Sequence, residues 1–181
     1  EEKRSVTESM QRVRSVCAER VREINDLIVM LHGCDAVHEH YDTRIFGELE
    51  WLRAVFRKIR DGIASNKEAL RVEFKDFGSD SDADGTYIGA YPESWSRFPI
   101  LTYNRRTRSP APNPVDMDRT TMHELGHKYG TEHYKKIVGW RDADWFETLY
   151  VMRVADNVWY QWLDSLLHRD PNLPAQEEPG S

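Results

Sequence analysis

Residues 123 to 133, HELGHKYGTEH, constrain the fold more than any other stretch of the chain. They place three of the seven histidines within eleven positions, with Glu124 beside the first. His123 and His127 are four residues apart, so on a helix they share one face, one turn from each other. Gly130 then ends the helix as a C′ glycine does, because it can take a positive φ. His133, three residues later, can swing back towards the first two. The chain must therefore run as a helix and reverse sharply, with polar side chains converging at the corner.

That arrangement suits one tetrahedral zinc, with each imidazole nitrogen at about 2.0–2.1 Å. Three protein ligands leave a fourth position open, which is the catalytic form of such a site; a structural zinc more often closes the fourth position, commonly with cysteine. Glu124 is placed to take a proton from a zinc-activated water without being a ligand. The bland alternative is a helix whose histidines merely face solvent. A bare H-E-x-x-H arises often by chance, and the added glycine and third histidine make the metal reading the better one. The third ligand stays open between His133 and Glu132, with Asp144 and Asp156 as more distant options. Asp156 could instead accept a hydrogen bond from a histidine N–H. Tyr134 and Tyr150 are the candidates to steady an oxyanion.

The stretch resembles the H-E-x-x-H-x-x-G-x-x-H motif of the metzincin branch of zinc peptidases. Met152 is the only methionine downstream, within ETLYVMRVADNVWYQW, which reads as continuous helix. A second resemblance spans residues 41 to 162. YDTRIFGELEWLRAVFRKI, DGTYIGAYPESWSRFPILTY, TTMHELGH, YGTEHY and VADNVWYQW are similar to segments of the aspzincins, the deuterolysin and peptidyl-Lys endopeptidase family. That family has an aspartate ligand at the position held here by Tyr134, so His133 or Glu132 must substitute. Asp156 matches one acidic specificity residue of its Lys-specific members, whereas the partner position is Trp159, and lysine specificity is not implied. The resemblance implies a zinc-dependent endopeptidase acting on protein or peptide, with a zincin-like fold. A disulfide-free member looks like a secreted or delivered effector or toxin domain working in a reducing cytosol. It could belong to a larger polypeptide or be bound by an inhibitor or immunity protein. The alternatives are a non-peptidase zinc amidohydrolase and a non-catalytic binding domain that keeps the zinc helix as scaffold; Glu124 favours the enzyme.

The rest of the chain fits one soluble α+β domain, helix-dominated, with a small central sheet. Helical spacing runs through Val6, Met10, Val13, Cys17, Val21, Ile24, Leu27 (or Ile28) and Leu31, and again from Tyr41 to Ile59. Asp61-Gly62 is the expected stop of the second helix. Alternation in LRVEFKDF, TYIGAY and PILTYN predicts strands. Asp118 or Thr120 is expected to cap the histidine helix, and one long helix is expected over about 142–168, with its Trp and Tyr residues mostly in the core. The domain covers 1–170 with a helical arm at 1–36, and 171–181 read as a disordered tail. The ends, EEKRSV and EEPGS, look cut or tagged. Net charge of −6 argues against a nucleic-acid partner, and the longest apolar run, LIVML, excludes a membrane span. Cys17 and Cys34 are separated by a helix rising about 1.5 Å per residue, too far for the roughly 7 Å that a disulfide allows. DSDADG (80–85) reads as a solvated acidic loop rather than a calcium loop, because position twelve is Tyr91. HGCDAVHEH (32–40) reads as an interhelix loop, and YNRRTR (103–108) as a solvated basic edge.

Overall fold

The computed structural model describes residues 2–33, 44–65, 71–75, 85–88, 100–104, 114–133 and 139–157. Helix α1 spans Glu2–His32 and α2 spans Arg44–Ser65. Strands β1 (Arg71–Lys75), β2 (Gly85–Ile88) and β3 (Ile100–Asn104) follow, then α3 (Pro114–Lys128) and the short α4 (Ala143–Thr148).

The core is helical. The three-four spacing of Val13, Cys17, Val21, Ile24, Leu27 and Leu31 aims one face of α1 at Leu49, Leu52, Val55, Phe56 and Ile59 of α2. Met122 and Leu125 of α3 and Phe146 of α4 complete the same cluster. Helix α1, expected as an arm, thus supplies six positions of the main core. The stop expected at Asp61-Gly62 does not occur, and α2 runs on to Ser65. Ile63, one turn beyond Ile59, packs on the core, and that burial outweighs the roughly 1 kcal/mol cost of an internal glycine.

The three strands form one sheet in the order β1-β3-β2, with β1 parallel and β2 antiparallel to β3. The sheet does not lie at the centre of the molecule, which corrects the expected architecture. Its buried Tyr103 belongs to a second, smaller cluster with Val6 and Met117, with Phe74 stacked on its ring at 5.5 Å. A buried hydroxyl group joins that cluster to the helices. Thr121 Oγ1 donates to the Met117 carbonyl at 2.8 Å and meets Tyr103 Oη at 2.7 Å and Ser9 Oγ at 2.9 Å. β2, one of the sheet's two edge strands, lies against α3.

Two further helix boundaries depart from expectation. Helix α3 opens at Pro114, four residues before Asp118; proline suits a first helical position, where its missing N–H costs nothing. Asp118 is therefore no cap. Its buried carboxylate takes two bonds from Arg12, at 2.6 and 3.0 Å. The long helix expected over 142–168 breaks after Thr148 and resumes at 154. An ion pair from α1 fills the break. Arg20 donates to the Leu149 carbonyl at 2.7 Å and the Tyr150 carbonyl at 3.3 Å. Its partner Glu23 accepts the Val154 N–H at 3.2 Å. These groups satisfy backbone atoms that a continuous helix would have paired internally.

Cys17 is buried, and burial pushes its thiol up to about 12, so it is an inert core residue. No helix among the described residues is long and apolar enough to cross a membrane. Cys34, the acidic loop at 80–84, most of the 32–40 loop, the basic edge at 105–108, residues 158–168 and the tail lie outside the described residues. His32, at the start of the 32–40 stretch, stacks on Phe46 at 4.1 Å.

Candidate metal centre

Helix α3 carries His123 and His127 on one face, and the chain reverses immediately after it. Gly130 has φ of 114°, a conformation that costs glycine little and other residues much. The reversal is closed by Thr131 N–H donating to the Gly126 carbonyl at 3.1 Å. Residue 132 then bridges to Asp142: Glu132 N–H donates to the Arg141 carbonyl, and Ala143 N–H donates to the Glu132 carbonyl, both at 2.9 Å. This clip fixes the segment carrying His133 beside the start of α4.

The result is a triad. One ligand atom from each of His123, His127 and His133 lies within 4.8 Å of the others. Ring centroids are 4.8 Å apart for 123–127, 5.1 Å for 123–133 and 4.8 Å for 127–133. The His123 side chain is 12 % exposed and that of His133 60 %, so the triad opens to solvent on the His133 side.

Hydrogen bonds at the far ring nitrogens decide what the near ones can do. His127 Nδ1 lies 2.8 Å from the Thr131 carbonyl oxygen. A carbonyl only accepts, so Nδ1 carries the proton and neutral His127 has its lone pair on Nε2. His123 Nδ1 lies 3.1 Å from Glu147 Oε2, with the same consequence. The two Nε2 atoms then face each other at 3.1 Å. Two lone pairs in apposition need a proton or a cation between them. Imidazoles sharing a tetrahedral zinc hold their nitrogens roughly 3.4 Å apart. The donor set thus fits a divalent metal bound by three nitrogens.

The electrostatics follow from burial and neighbours. Burial pulls the His123 pKa down, but the Glu147 hydrogen bond and the charges of Glu124, Glu147 and Asp144 outweigh it and leave it raised. His127 is lowered, chiefly by burial, with the other two histidines adding to the effect. Burial works to raise Glu147, yet the bond to His123 and the charge of Arg119 hold it below the usual range. Arg119, one turn before His123, donates to Glu147 Oε1 at 2.7 Å.

Glu124 lies next to His123 on α3 and is 4 % exposed. Glu132 is exposed, and its backbone is held in extended conformation by the clip. Its carboxylate is not among the ligand atoms that the three histidines bring together. Asp144 reaches the triad's rim: its two oxygens lie 3.7 Å from His123 Nδ1 and 3.8 Å from His133 Nδ1. Asp156 is exposed and makes none of the contacts described for the histidines; the position of histidine acceptor belongs to Glu147. Tyr150 is also elsewhere. Its hydroxyl donates to Asp118 at 2.5 Å, and burial with that bond pushes its pKa up to about 12. Asp118 precedes His123 by five residues, about 140° around the helix, so this hydroxyl serves the α1–α3 contact. Tyr134 lies outside the described residues.

Sequence reasoning missed Glu147, Arg119 and Gly126. Gly126 lets α4 approach, since a Cβ there would meet Thr131 Oγ1 at 2.8 Å and Phe146 at 2.9 Å. The available signal for Glu147 was a general one, that a ligating histidine donates its other N–H to a carboxylate or carbonyl. Nothing in RDADWFET distinguishes Glu147 from Asp142 or Asp144 by spacing. Compared with protein-family models, curated proteins and solved structures, the chain matches none.

Proposed function

We propose that the triad holds zinc and that this chain is a zinc-dependent endopeptidase. One observation carries the reading: hydrogen bonds at Nδ1 of both helix histidines turn two Nε2 lone pairs onto one point, 3.1 Å apart, with a third imidazole beside them. A bound zinc supplies Lewis acidity, polarising a carbonyl and acidifying water. The chain's own residues do the rest. His123 and His127 stay neutral at Nε2 because Glu147 and Thr131 hold their protons on the other nitrogen. Glu124, beside the first ligand, takes the proton that the attacking water gives up and passes it to the departing amine. A peptide substrate is supported by the edge strand nearer the histidines, β2. Among the described residues β2 pairs with β3 alone, and it lies against the histidine helix. An extended peptide can add to such an edge by backbone hydrogen bonds and lie across α3.

The test uses the zinc-replete protein and a quenched-fluorescent peptide library. We expect about one zinc per chain and measurable cleavage. Glu124→Gln is nearly isosteric and cannot accept the proton, so it should keep the zinc and lose activity by about 10²-fold or more. A chain that takes up no zinc, or a variant as active as the wild type, would overturn the proposal. A zinc-loaded chain that spares every peptide but hydrolyses small amides would move it to the amidohydrolase class.

A further inference from the structure

His123 and His127 each have a close acceptor at Nδ1. For His133 the described acceptor is the carboxylate of Asp144, whose Oδ2 is 3.8 Å from Nδ1. The other oxygen, Oδ1, is 3.7 Å from His123 Nδ1. Asp144 and Glu147 stand three residues apart on α4, hence on one face of that helix. The approach is set by backbone. The Glu132–Asp142 bridge ties the His133 segment to the start of α4, and the Asp142 carboxylate accepts the N–H groups of Asp144 and Trp145. A distance of 3.8 Å is too long for a hydrogen bond, and both side chains, 60 % and 71 % exposed, have room to change rotamer.

We infer that Asp144 is a positioning residue for His133: it accepts the Nδ1–H, and so turns Nε2 towards the other two histidines. The inference rests on the metal-binding reading above. Helix α4 then supplies acceptors for two of the three imidazoles, through Glu147 and Asp144, while the Thr131 carbonyl serves the third. This explains why a carboxylate 71 % exposed to solvent sits between two histidine rings rather than extended into water. It also gives the clip a purpose. The helix reversal alone brings His133 near, and α4 fixes which of its nitrogens faces inward.

The experiment compares wild type, Asp144→Ala and Asp144→Asn. Zinc affinity is read by competition with a chromogenic chelator, and histidine tautomers are read by ¹⁵N–¹H correlation of the imidazoles. Asp142, not Asp144, caps α4, so neither variant removes the cap, and an unchanged thermal midpoint of the metal-free protein checks this. Asp144→Ala should weaken zinc by about 10–100-fold, the usual cost of losing an outer partner of a ligand. Asp144→Asn should recover most of that, since the amide oxygen also accepts an N–H. In metal-free Asp144→Ala the His133 ring should become a tautomer mixture, with the His123 and His127 rings unchanged. Alanine affinity within twofold of wild type, or an unaltered His133 tautomer, would overturn the inference. If the wild type binds no zinc, the metal reading fails on its own. The His133 tautomer in the metal-free protein still decides the role of Asp144: a shift in the alanine variant supports it, and no shift overturns it.

Discussion

His133 is held differently from the other two histidines of the triad. His123 and His127 ride on α3 and are partly buried, whereas His133 sits beyond the helix with its side chain 60 % exposed. Its neighbour Glu132 is the competing candidate, and its carboxylate lies outside the group that the three histidines form. We therefore expect His133→Ala to lose zinc to a mild chelator with an affinity drop beyond about 100-fold, larger than outer-partner losses of roughly 10–100-fold. Glu132→Ala should stay near wild type, because only the Glu132 backbone enters the clip. The reverse pattern would make the carboxylate the ligand. Glu124 is the other residue whose meaning is local. It is buried and contributes to raising His123, as a carboxylate beside the histidines should.

At the scale of elements, the site depends on how closely α4 can approach α3. That approach passes over Gly126, where an added Cβ would lie 2.8 Å from Thr131 Oγ1 and 2.9–3.0 Å from the Phe146 ring. Phe146 is fully buried and stacks on Phe56 at 5.1 Å, so it has little room to retreat. Gly126→Ala should cost about 1–3 kcal/mol, as overpacking does, while improving intrinsic helix propensity by up to roughly 1 kcal/mol. The net effect is a loss. More telling is its effect at a distance. Phe146 precedes Glu147, so displacing α4 pulls the carboxylate from His123, and zinc affinity should fall with stability. Chelator competition and thermal unfolding measured on the same samples check this; an alanine variant with full affinity would show that α4 does not set the histidine. The break after Thr148 belongs to the same element. Arg20 and Glu23 hold it open, and a helix continued through it would carry Tyr150 and Val154 away from the α1 groups that now bond their backbone.

At the scale of the whole molecule, the proposed metal binding would be linked to folding, because the triad assembles only when α3, the clip and α4 are in place. A metal at 100 times its dissociation constant adds about 2.7 kcal/mol, which in a chain of this size corresponds to roughly 5–10 °C in midpoint. The pH dependence follows from the groups involved. Glu147 is lowered from 4.5, so its stabilisation is present above that value and lost as pH falls through its folded one. His127 is lowered from 6.5 and behaves in the same direction. His123 is raised from 6.5, so its contribution is present below that value and lost as pH rises. Metal requires both rings neutral at Nε2. The zinc-dependent rise in midpoint should therefore be full near pH 8 and vanish as the solution is taken below about pH 5. Calorimetry with and without zinc across that range checks it, and an increment that persists into acid would exclude histidine ligands. The sequence by itself determined the features governed by short-range geometry: the helical face of α1 and α2, the i, i+4 histidines, and the glycine that turns the chain after them. Each follows from spacings of a few residues, where helix period and allowed φ leave few choices. It could not determine which carboxylate would meet His123, that Tyr150 would turn to Asp118, that Arg20 and Glu23 would break the last helix, or that the sheet would lie beside the core. Those contacts join residues from 24 to 131 positions apart, and several chemically equivalent partners compete for each. Only the packing of α1, α3 and α4 against one another selects among them, because burial fixes which groups come within bonding distance.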